Sequence, residues 1–246
     1  MAVSINNVYQ KVLAIANKEQ RGYITPQEFN LFANQAQMEI FEQYFYDINQ
    51  FKRVPGNSTE YSDVVNILEE KISAFEKFKI ASQAVSSNTI SLPTDLYRLG
   101  TVFYTGVTPN VIVERVDKKS LQLIQNSPLT APSDTRPVFI HESPSTTGQS
   151  KIKIFPSSPS VSYTTANVIS NYIKKPATVK WTYVVINDKA VHNSGAADLQ
   201  NFELHESEES ELVIKILQLA GISIKDYQLA SVASNKEVST ISQEKQ

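Results

Sequence analysis

Apolar residues recur at helical spacing through the first third of the chain. Ile5, Val8, Val12, Ile15 and Ala16 follow Ser4, a residue suited to an N-cap, and Gly22 supplies a stop. Thr25-Pro26-Gln27-Glu28 then announces a longer helix: it is a capping box with proline at the first helical position, where a missing N–H costs nothing. From there Phe29, Phe32, Ala33, Ala36, Ile40, Phe41, Tyr44, Phe45 and Ile48 form a wide apolar stripe, and Leu31 and Met38 lie outside it and widen it. After a turn at Val54-Pro55-Gly56-Asn57, a third helix places Val64, Leu68, Ile72 and Phe75 on one face. Three consecutive helices can cover one another, so residues 1–80 read as a small helical bundle.

Near Ile80 the period shortens from 3.6 to 2, and β-branched residues and prolines become frequent. Asn88 to Leu92 and Leu99 to Tyr104 read as strands, Lys151 to Phe155 alternates, and Val179, Trp181, Tyr183 and Val185 share one face of a further strand. Asp117 can cap a short helix running through Leu121 and Ile124, and residues 126–137 and 156–162 are rich in turn formers. No helices of crossover length alternate with these strands, so residues 81–201 are expected to form an antiparallel sandwich or barrel of short strands. Residues 202–225 predict a helix packed on the N-terminal bundle, with acidic residues in its first turn, Leu212, Val213, Ile216, Leu217 and Ala220 on its face, and a break at Gly221. Residues 226–246 are polar and serine-rich, and with only the sparse apolar residues Leu229, Val232, Val238 and Ile241 they predict an extended tail that is either disordered or ordered by a partner. The fold class is α+β.

A net charge of -2 and a pI near 6.0 lack the basic footprint of a nucleic-acid reader. The absence of cysteine excludes disulfides, thiolate metal sites and a cysteine nucleophile. The opening MAVSINNVYQ has no signal-peptide pattern, and no apolar run approaches the roughly 20 residues that cross a bilayer, so a soluble cytoplasmic chain is the expectation. The seven glycines form neither GxGxxG nor a P-loop, and no GxSxG elbow occurs. His141, His192 and His205 fall in or beside predicted loops without zincin spacing, and Glu206, Glu208, Glu209 and Glu211 read as solvated complements of a helix dipole. Trp181, with Val179 and Tyr183, reads as core or as a sugar-stacking platform; Lys118-Lys119 and Lys174-Lys175 read as solvated surface. No catalytic residue, cofactor or metal is expected, and the chain is not expected to be an enzyme.

Five stretches in chain order, GYITPQEFNLFANQAQMEIFEQYF, LPTDLYRLGTVFY, SPLTAPSDTRPVF, NYIKKPATVKW and FELHESEESELVIKILQLAGI, carry a resemblance. Together they resemble the head-to-tail connector, or portal adaptor, proteins of short-tailed bacteriophages, in particular structural proteins of crAss-like phages. The resemblance implies a virion protein of the neck, assembled in the host cytoplasm as a ring beneath the portal, a dodecamer by family stoichiometry. It further implies that DNA passes through the lumen unread, that an adjacent tail or second ring protein sits on the platform, and that a C-terminal segment engages the portal. No membrane partner is implied.

A ring requires heterologous contacts, in which one face of each subunit meets a different face of the next. The Leu31 and Met38 side of the long helix is therefore expected to meet a neighbour, and residues 226–246 to dock on the portal or an adjacent subunit through Leu229, Val232, Val238 and Ile241. The alternative is a carbohydrate-binding β-sandwich module of a tail or surface protein, with Trp181 as its platform.

Overall fold

The computed structural model of the chain describes residues 3–16, 24–53, 59–81, 84–86, 88–144, 148–156, 163, 164, 166–187, 189–223, 231–236, 238 and 239. In chain order the elements are α1 (Ile5–Ala16), α2 (Pro26–Arg53), α3 (Thr59–Ser73), β1 (Glu76–Ala81), β2 (Ala84–Ser86), β3 (Thr89–Ser91), β4 (Leu96–Tyr104) and β5 (Val111–Arg115), then α4 (Lys118–Gln125), β6 (Val138–Glu142), β7 (Lys151–Phe155), β8 (Val168–Lys174), β9 (Tyr183–Ile186), β10 (Lys189–His192) and α5 (Glu209–Ser223). The class is α+β. Two compact units make up the chain: unit 1 is Met1–Ala74 with Pro176–Gln246, and unit 2 is Phe75–Lys175. The β-rich region expected at 81–201 contains strands β2 to β10, and its last part, residues 176–201, falls in unit 1.

Unit 1 is built on α2. Its first turn is closed as the sequence dictates: the Thr25 N–H donates to Glu28 Oε2 at 3.0 Å, and the Glu28 N–H donates back to Thr25 Oγ1 at 3.3 Å. The hydrogen bonds from the Thr25 hydroxyl and N–H hold the Glu28 carboxyl below its ordinary range. This contribution is complete above the ordinary glutamate range and is lost as pH falls through the depressed value. Thr25→Ala is expected to lower stability by about 1 kcal/mol, read as a lower denaturant midpoint at unchanged slope. Phe29, Ala33, Ala36, Ile40, Phe41 and Tyr44 form the buried face of α2. α2 packs on α3 and α5, and α1 packs on α5.

The acidic run before α5 is not simply solvated. Glu208 is 5% exposed and pairs with Lys71 of α3 at 2.6 Å, while Glu209 pairs with Lys11 of α1 at 2.9 Å. These two pairs tie the start of α5 to two other helices. Gly221 does not break α5, which continues to Ser223. A glycine inside a helix costs about 1 kcal/mol relative to alanine, less than the packing of Leu212, Ile216, Leu217 and Ala220, all buried on the same helix.

Unit 2 holds an eight-stranded sheet in the order β1-β8-β4-β5-β6-β7-β3-β2. All pairings are antiparallel except β5 with β6, which is parallel. The antiparallel expectation fails there because α4 lies in the connection and supplies the crossover that parallel neighbours need. One face of the sheet buries Ile90, Val102, Val113, Phe139, Ile152 and Val168. On the other, Leu121 of α4 packs on Val138 and Ile140. β1 and β2 are the two edges of the sheet, yet Ala81 and Ala84 are only three Cα steps apart, at most about 11 Å. The sheet therefore curls, bringing its edges together at that end. Among the described pairings of unit 2 there is neither a second stacked sheet nor a ladder joining β1 to β2. The chain enters and leaves the unit on neighbouring strands: Glu76 pairs with Ile173, and the Lys174 N–H donates to Phe75 O at 2.9 Å.

Candidate functional site

α2 presents three faces, and each is used differently. The apolar face is core. Beside it, Asn30, Asn34 and Gln37 stand at i, i+4 and i+7 and hold the segment 176–182 by its backbone. Asn30 Nδ2 donates to Trp181 O at 3.2 Å and its Oδ1 accepts from the Trp181 N–H at 2.8 Å. Asn34 repeats this with Val179 at 3.0 and 2.8 Å, and Gln37 Nε2 donates to Ala177 O at 2.8 Å. Four helical residues rise about 6 Å and two extended residues advance about 6.6 Å, so side-chain amides on a helix can match alternate residues of an extended chain. Lys180 between them exchanges both backbone bonds with Gln200, at 3.1 and 3.2 Å. The segment is thus paired on both edges, by amides on one and by backbone on the other.

That pairing aims alternate side chains inward. Trp181 is 1% exposed; its ring centroid lies 4.1 Å from that of Tyr9 and 5.7 Å from those of Tyr183 and His192. Its Nε1 donates to Asn6 Oδ1 at 3.1 Å. Neither face of the indole is open to a sugar, so the platform on which the carbohydrate reading depended is part of the core. Sequence reasoning missed Asn30, Asn34 and Gln37. The available signal was three amides on one helical stripe adjoining an apolar one.

The sequence matches no protein-family model, and no curated protein matches it. What the molecule can do must therefore be read from its surfaces. His141 and His192 lie near the ends of β6 and β10, next to the loops that follow, and His205 Nδ1 accepts from the Ser207 N–H at 3.3 Å. Burial, aided by the positive charge of Arg115, lowers the His141 pKa. Among the described residues no three His, Asp or Glu side chains gather as metal ligands, and no helix is long and apolar enough to cross a membrane.

The third face of α2 is open. Leu31 is 70% exposed and Tyr46 65%, and Met38 is half-buried. From Pro26 to Phe51 the helix carries four carboxylates, Glu28, Glu39, Glu42 and Asp47, and no lysine or arginine. The near-neutral total charge conceals a division between the units. Unit 1 has 12 Lys and Arg against 19 Asp and Glu, net -7; unit 2 has 11 against 6, net +5. In unit 2, α4 and the turn after it expose Lys118, Lys119, Leu123 and Leu129.

The C-terminal segment differs from the extended tail expected of it, being helical over 231–236. Ala233 is buried, and Val232 lines a groove of about 440 Å³ with Ile15 of α1 and Val213 and Leu217 of α5. Val232 and Val238 are exposed, which leaves both able to contact another surface; Leu229 and Ile241 lie outside the described residues. The β9–β10 hairpin adds exposed Val184, Val185, Ile186 and Val191.

Proposed function

We propose that this chain is a structural protein of a bacteriophage neck, a ring-forming connector beneath the portal. Its ring passes DNA through the lumen without reading it and offers a platform to the next tail protein. The observation that carries this reading is the open face of α2. Leu31, half-buried Met38 and exposed Tyr46 leave apolar surface along one side of a helix whose neighbouring stripe is core, and a subunit contact would cover it. The exposed Val232 and Val238 fit a further contact with the portal, and the resemblance supplies the identity of these partners.

Native mass spectrometry of the purified chain tests the reading, with a closed ring of many identical subunits as the expected result. Leu31→Glu combined with Met38→Glu is expected to abolish that species while the circular dichroism of the subunit stays unchanged, because neither side chain is fully buried. A tight twofold dimer would occupy surfaces a ring must leave open and would overturn the connector reading. So would failure of the chain both to form a ring and to bind a portal.

A further inference from the structure

We propose that the open face of α2 in one copy of this chain docks, head to tail, on α4 and the turn after it in a second copy. This rests on the connector reading and names the two faces that meet. Their chemistry is complementary. The α2 face offers Leu31 and Met38 beside Glu39 and Glu42, both exposed, on a helix without a cation before Lys52. α4 offers Leu123, 67% exposed, with the exposed Lys119 one turn before it; Lys118 is exposed on the same helix and Leu129, 93% exposed, in the turn after it. Lys119 and Leu123 are four residues apart and share one side of α4, and Leu121 occupies the buried side.

The dimensions agree. α4 has 8 residues, about 12 Å of helix, and the stretch of α2 from Leu31 to Met38 has the same rise. Leucines at the centre exclude water, while charges around them fix register and steer approach. The opposite net charges of the two units favour this orientation over contacts of like with like, which would set -7 against -7 or +5 against +5. A copy that uses its α2 face toward one neighbour and its α4 face toward another propagates the pairing, as a ring requires, whereas two copies exchanging both contacts at once would close as a twofold dimer.

Reciprocal charge reversal tests the pairing. One variant carries Glu39→Lys and Glu42→Lys, the other Lys118→Glu and Lys119→Glu; all four side chains are exposed, so folding is expected to survive and is checked by circular dichroism. Each variant alone presents like charge to like and is expected to assemble about tenfold less tightly than the parent, or worse. Mixed in equal amounts, the two restore complementary contacts at every junction and should assemble again as alternating copies, seen by native mass spectrometry with one variant isotopically labelled. Assembly of the parent with no rescue in the mixture would overturn this pairing and leave the ring standing. A parent monomeric at every concentration would overturn the pairing too, while binding to a portal would then decide the connector reading separately. Leu123→Glu, at an exposed position, supplies a second variant, and undiminished assembly of it would also overturn the pairing.

Discussion

Trp181→Ala is expected to remove about 3–5 kcal/mol, the range for deleting a large aromatic side chain from a core. Against a typical total of about 5–15 kcal/mol, that loss unfolds a large share of unit 1 on mild heating. The deleted ring is the one surrounded by Tyr9, Tyr183 and His192, and its Nε1 leaves Asn6 without a donor. The denaturant midpoint followed by far-ultraviolet circular dichroism measures the effect. Trp181 is the only tryptophan, so tryptophan fluorescence of the parent chain, excited beyond the tyrosine band, reports unit 1 alone. Trp181→Phe keeps an aromatic ring against Tyr9, loses the hydrogen bond to Asn6, and is expected to cost less than half as much. A Trp181→Ala chain as stable as the parent would mean that the indole does not sit in the core.

The next largest effect is expected from Asn34→Ala. The substitution strands the N–H and C=O of Val179, which the Asn34 amide alone satisfies on that edge, at about 1–3 kcal/mol for each polar group left without a partner. Hydrogen exchange localises the loss. The Val179 amide should exchange faster, and the Lys180 amide, bonded to Gln200 on the opposite edge, should change less. Asn34→Asp separates amide pairing from space filling. It still accepts from the Val179 N–H, but it places a carboxylate against the Val179 carbonyl, so no rescue is expected. Unchanged exchange at Val179 would show that the side-chain amide does not pair this segment.

Where the pattern of apolar residues decides the structure by itself, the reading of the chain and the molecule agree. The capping box at Thr25, the stripe from Phe29 to Tyr44 and the change of period near Ile80 are local signals that translate directly into α2, the buried face of unit 1 and the start of the sheet. The failures share a physical cause: periodicity reports the conformation of a segment and not its partner. Val179, Trp181 and Tyr183 alternate as a strand should, but the edge that pairs with Val179 and Trp181 is a row of amides on a helix, so alternation alone does not show that residues 176–201 fall in unit 1. The parallel β5–β6 pair was missed for a related reason, since α4 was read as a local helix and not as a crossover. For the interaction surfaces, Leu31 could be singled out because it breaks the helical stripe. The matching face on α4 could not, because two adjacent lysines look like any solvated pair until Leu123, one turn after Lys119, is found exposed.

The placement of unit 2 between two parts of unit 1 has a consequence for synthesis. Residues 1–74 leave the ribosome with Phe29, Ile40 and Phe41 already in place but without Trp181, Phe202 or α5, which complete the unit. At about 5–20 residues per second, the chain from 75 to 223 takes roughly 7–30 s to appear. Unit 2 is continuous, with its ends on neighbouring strands, and can finish within that interval. For those seconds the nascent N-terminal helices carry uncovered apolar faces, so the helices made first are the last to be completed and the part of the chain most in need of a chaperone.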